Sequence, residues 1–70
     1  MESLCIQDFS SIHVELFVSF IKEYPEYTLN KFGVVVKKED EFVFIQTDHN
    51  TIYKVCFHDA RFYHSALIKQ

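Results

Sequence analysis

An α+β fold is the class this sequence predicts, on three observations. The run from Ile12 to Tyr24 has polar residues recurring at spacings of three and four. The second half is β-branched and aromatic, broken by polar pairs. The closing segment after Asp59 has the look of a capped helix.

The first element is a helix over about residues 9–24, with Asp8 or Ser10 as its N-cap. Ser11, Glu15, Ser19, Lys22 and Glu26 fall on one narrow stripe. The remaining positions are Phe9, Ile12, Val14, Leu16, Phe17, Val18, Phe20, Ile21 and Tyr24, an apolar surface much wider than the stripe of an ordinary surface helix. Such a helix asks for burial on more than one side. Pro25 disfavours helical backbone at Tyr24 and ends it.

From Phe32 the pattern predicts a three-stranded antiparallel meander, with strands near 32–38, 41–48 and 51–58. Glu39 and Asp40 form the first turn; His49 and Asn50 form the second, where asparagine tolerates left-handed backbone. Two-residue turns then oppose Phe42 to Phe57, Phe44 to Val55 and Gln46 to Tyr53. In that register Phe32, Val34, Val36, Val43, Ile45, Ile52 and Cys56 share the other face. Both faces are apolar, so the sheet asks to be covered twice. Asp59, as a cap, opens a short C-terminal helix through Ala60, Phe62, Tyr63, Ala66 and Leu67 that covers part of the second face.

The whole chain of 70 residues reads as a single domain, residues 1–70, with one glycine, one proline and no linker composition. A chain this short buries only about 60% of the surface its unfolded form exposes. Stability at this size usually needs a disulfide, a metal or association. Cys5 and Cys56 show no framework spacing and are read as reduced thiols of a cytoplasmic protein. The N-terminus has no basic leader, and the longest apolar-rich stretch is interrupted by His13, Glu15 and Ser19, which fits neither a signal peptide nor a membrane span.

The formal net charge of −3 comes without a basic stripe; only Lys37 and Lys38 are adjacent. This argues against nucleic acid as a partner. Four histidines and two cysteines lack any C-x-x-C or H-x-x-x-H element, so no metal site is expected. Cys56 and His58, two apart on one predicted strand face, are the only nucleophile and base pair that can be assembled. A small buried thiol is the far commoner role for such a cysteine. Glu39, Asp40 and Glu41 read as a solvated turn beside lysines, and no glycine-rich phosphate loop or cofactor motif exists. No catalysis and no cofactor are expected.

Eight phenylalanines and four tyrosines exceed what one small core requires, and aromatics are enriched at interface centres. The sequence therefore points to a non-catalytic protein–protein interaction module of the size and class common among phage-type inhibitors, antitoxins and immunity proteins. The alternative is a structural subunit whose apolar surplus is consumed by a homodimer or larger homo-oligomer. The expected contact residues are Tyr24, Tyr27, Glu39, Asp40, His49 and Tyr63. The surplus itself is expected on the sheet face of Phe32, Val34, Val36, Val43, Ile45 and Ile52, or on the helix ridge of Val14, Val18 and Ile21.

Overall fold

In the computed structural model, which describes residues 5–64, the chain is a single six-stranded antiparallel sheet. The strands are β1 (Cys5–Ile6), β2 (Phe17–Glu23), β3 (Thr28–Glu39), β4 (Phe42–Asp48), β5 (Thr51–Cys56) and β6 (Arg61–His64), with short 3-10 turns at Phe9–Ser11 and Phe57–Asp59. The spatial order is β1-β6-β2-β3-β4-β5. The last strand returns beside the first strand of the β2–β5 meander, and β1 pairs on its far side.

The α+β expectation is overturned, because the segment expected to be helix 9–24 is a 3-10 turn followed by strand β2. The reason is visible in its composition. Ile12, Val14, Phe17, Val18, Phe20, Ile21 and Tyr24 are β-branched or aromatic, residues that lose side-chain freedom in a helix and pack well on a pleated surface. The wide apolar face is what a strand buried on one side and half-buried on the other leaves in sequence. Val18 and Phe20 are fully buried, while Phe17, Ser19 and Ile21 on the opposite face are partly exposed. The polar spacing of Ser11, Glu15, Ser19 and Lys22 imitated a helical stripe by coincidence.

Pro25 marks a hairpin and not a helix end. Glu23 pairs with Thr28, and the Tyr24 amide donates to the Tyr27 carbonyl at 2.8 Å across the turn. The strand that follows runs from Thr28, four residues earlier than expected, and pairs β2 along its first part and β4 along its second. Between them sits Gly33, buried opposite Val18; a Cβ there would lie inside contact distance of Gln46 O and within 2.8 Å of the Gln46 carbonyl carbon. A glycine is what lets β3 approach β4 so closely at this bend. An extra residue, Val36, follows as a bulge between Val35 and Lys37.

The expected register of the second hairpin is also corrected. Phe42 opposes Cys56, Phe44 opposes Lys54 and Gln46 opposes Ile52, a slip of one residue, because Thr47 is bulged between Gln46 and Asp48. One residue of slip exchanges sheet faces. The slip turns β5 over relative to β4, so Ile52 parts from Val43 and Ile45, which were expected beside it on the uncovered face and are fully buried with Val35, Val18, Phe20, Phe62 and Ile12. The turn before β4 is Asp40–Glu41, with Asp40 in left-handed backbone at φ 55°. The C-terminal helix is overturned as far as His64, since Arg61–His64 is strand β6 with Phe62 buried; Ala66 and Leu67 lie outside the described residues.

The sheet curls tightly around its core. In a flat sheet β2 and β5 would lie about 14 Å apart at ordinary strand spacing. Here the Phe20 and Tyr53 rings meet edge-to-face at 5.7 Å. The contact continues from Phe20 to Phe62, on to Phe57 stacked at 5.6 Å, and to Phe9 edge-on at 5.4 Å. The segment between β1 and β2 straps this core with Phe9, Ile12 and Leu16. Lys38 holds the strap: its Nζ donates to Phe9 O at 3.0 Å and Ile12 O at 2.7 Å, and lies 4.3 Å from the Phe9 ring centroid. No described helix is long and apolar enough to cross a membrane.

Candidate functional site

Strand alternation sends Val18, Phe20, Val35, Ile45 and Phe62 into the core and puts their neighbours on the convex outer face. The registers align those neighbours into rows. One row is Cys5, Tyr63, Ser19 and Phe32 across β1, β6, β2 and β3. The next is Phe17, Val34, Gln46 and Ile52 across β2 to β5, and beyond it lie Lys37, Phe44 and Lys54.

Phe32 and Ile52 are 61% and 54% exposed, the Phe17 ring lies 6.0 Å from Phe32, and half-buried Val34 sits between them. Phe17, Phe32 and Val34 form one apolar patch on a face that no described element covers, and Ile52 stands across Gln46 from it. Of the face expected to be uncovered, Phe32, Val34, Val36 and Ile52 keep some exposure, while Val43 and Ile45 are core. Of the expected helix ridge, Val18 is core, Ile21 is half-buried on the outer face of β2, and Val14 stands 52% exposed in the strap. The patch was legible in the surplus of aromatics; its membership depended on the Thr47 bulge, which no local signal announces.

Beside the patch the outer face is basic and aromatic. Lys54 Nζ lies 4.5 Å from the Phe42 centroid and 6.0 Å from that of Phe44, and Lys37 lies 5.4 Å from Phe44 on its other side. Lysine over a ring face gains from the ring quadrupole. Lys37 also pairs with Glu39 at 3.6 Å, and Arg61 with Glu23 at 3.3 Å. Lys54 has no carboxylate partner among the described residues.

The six residues expected to make contact do not converge. Tyr24 and Tyr27 stack at 4.7 Å on the β2–β3 turn, with Lys22 Nζ 5.4 Å from the Tyr24 ring. His49 sits in the β4–β5 turn, which alternation of the meander puts at the same end; its carbonyl accepts a hydrogen bond from Gln46 Nε2 at 3.0 Å. At the opposite end, Asp40 lies in the β3–β4 turn with Glu41, while Glu39, expected in that turn, is the last residue of β3 and pairs with Phe42. Tyr63 is half-buried on the outer face between Cys5 and Ser19.

Cys56 and His58 are also separated by local structure. Cys56 ends β5 on the outer face opposite Phe42, whereas His58 lies in the 3-10 turn with its Nε2 3.5 Å from Glu41. Asp59, expected as a helix cap, lies in the same turn and pairs with Lys22 at 3.7 Å. Among the described residues the buried core holds no polar or charged side chain, and no group of three or more metal-ligating side chains gathers. Compared with protein families, curated proteins and solved structures, the chain matches none.

Proposed function

We propose that this chain is a small, non-catalytic interaction module of the cytoplasm that works by binding and occluding another protein. The observation that supports the reading is the uncovered apolar surface of the outer face, the patch of Phe17, Phe32 and Val34 with Ile52 across Gln46 from it, Phe32 and Ile52 being more than half exposed. Exposed apolar clusters on small domains mark interaction sites more often than scattered single residues do. The stacked Tyr24 and Tyr27 add an exposed aromatic pair at the β2–β3 turn, and aromatic anchors of this kind carry much of the energy of protein interfaces. An inhibitor or regulator of the phage-type, antitoxin or immunity-protein class fits a domain of this size, by analogy of form.

The test compares wild type with Phe32→Glu and Ile52→Glu, all three checked for unchanged melting, in co-purification from the native host and in mass measurement by light scattering. The expected outcome is a wild-type complex with a distinct protein that both variants lose. A wild-type chain that purifies alone as a monomer overturns the reading. A tight wild-type dimer dissolved by either variant replaces it with a homo-oligomeric subunit.

A further inference from the structure

Building on the docking reading above, we infer that the outer face recognises an extended, acidic segment of another protein. That segment adds to the open edge of β5 and places a carboxylate over Lys54 and an apolar side chain over Ile52.

The edge itself is the first observation. β5 is the last strand of the sheet and pairs only with β4; its other side makes no backbone hydrogen bond among the described residues, and Thr51, Ile52 and Lys54 along it are exposed. Among the described residues the opposite edge, β1, is two residues long. An unpaired strand edge is a template for an incoming strand, whose main chain supplies the affinity and whose alternate side chains supply the specificity.

The second observation is alternation. Ile52 and Lys54 are two apart and share the outer face, since their partners Gln46 and Phe44 do. An added strand therefore presents side chains from positions two apart to this pair, one apolar and one able to meet an ammonium.

Charge then selects the occupant. Of the basic side chains on the outer face, Arg61 and Lys37 have carboxylate partners, and Lys54 has none among the described residues. A second copy of the chain does not supply one, because Lys54 is the only charged residue of Thr51–Cys56. Pairing of two β5 strands would bring two lysines onto one face with no carboxylate between them, so the lysine that invites an acidic strand also discourages self-pairing. A single-stranded nucleic acid is disfavoured by the half-buried state of Phe42 and Phe44, whose rings already carry Lys54 and Lys37. Bases stack on open rings.

The experiment titrates the full chain, ¹⁵N-labelled, with synthetic nine-residue peptides of alternating valine and threonine. One carries a central glutamate two positions from a valine, and one carries lysine in its place. The expected result is binding of the acidic peptide with amide shifts concentrated on Thr51–Cys56, and binding of the lysine peptide about two- to fivefold weaker, the scale of exposed charge pairs. Lys54→Glu should invert that preference and Lys54→Gln should abolish it, both with unchanged melting. Equal binding of the two peptides, shifts confined elsewhere, or a preference unmoved by Lys54→Glu overturns the inference. So does tighter binding of an oligothymidine probe to the same face, or a wild-type dimer with β5 amides protected at its interface. If the host partner needs Phe32 and Ile52 yet is indifferent to Lys54→Glu, the acidic-strand inference falls and the docking reading stands. If the partner needs none of these, both fall.

Discussion

Gly33 and Lys38 show how single side chains, or the lack of one, set this fold. At Gly33 the neighbouring strand leaves no room for a methyl group: a Cβ would sit within 2.8 Å of the Gln46 carbonyl carbon and 2.9 Å of Thr47 Cα, both main-chain atoms that cannot swing aside. Gly33→Ala should therefore destabilise by about 1–3 kcal/mol, the range of overpacking in a closed site, read as a lower urea midpoint with an unchanged slope. Lys38 acts in the opposite sense, by supplying a donor to a loop that has too few. Its ammonium serves two strap carbonyls, and Ile12, which carries one of them, is fully buried. Lys38→Met keeps most of the stem that packs against Phe9 and removes the donor. It should cost about 1.5–3 kcal/mol by urea denaturation, with hydrogen exchange rising first in residues 9–16. A loss below about 0.5 kcal/mol would mean that water replaces the ammonium at no penalty. Neither role is written in the sequence: Gly33 reads only as the one glycine of the chain, inside the predicted strand 32–38, and Lys38 as half of an ordinary lysine pair.

At the scale of elements, β2 is where helix and strand readings make opposite predictions. Ser19 faces outward from the middle of β2, between Phe32 and Tyr63. On a helix, Ser19→Ala would be favourable and Ser19→Val near neutral. On this strand the order reverses, with Ser19→Val more stable than Ser19→Ala by up to about 1 kcal/mol in urea denaturation. The three strands of the second half were legible because their alternation is bounded by polar turns, and their existence and direction agree with the fold. The β2 segment was not, because a strand that is buried on one face and half-buried on the other loses the period that identifies it. The decisive cue was chemical and not periodic: few of the apolar residues from Ile12 to Tyr24 are good helix formers. The bulges at Val36 and Thr47 were invisible for a different reason. Each belongs to the curl of the whole sheet, which brings together residues far apart in the chain such as Phe20 and Tyr53. The candidate site inherits that limit, since Phe32 and Ile52 were expected to be exposed but Val43 and Ile45 were expected beside them.

For the whole molecule, the apolar excess divides cleanly between a core that closes on itself and a patch that does not. The core residues are tightly enclosed, so truncating the ring at their centre, Phe20→Ala, should cost about 3–5 kcal/mol and leave the domain mostly unfolded at 37 °C. Phe32→Ser should instead change stability by less than about 0.5 kcal/mol while lowering retention on a hydrophobic-interaction column. A large loss of stability from Phe32→Ser would show that the patch belongs to the core after all. The pairing of β1 with β6 carries one more consequence. Cys5 lies directly opposite Tyr63, so the two ends of the described sheet leave it side by side, at the edge farthest from β5. A linker that joins the end of β6 to the start of β1 would make these two strands one more hairpin, and the chain could then be opened at the exposed His49–Asn50 turn. Such a circular permutant is expected to keep every strand pair of the described sheet, with β5 as its new leading strand.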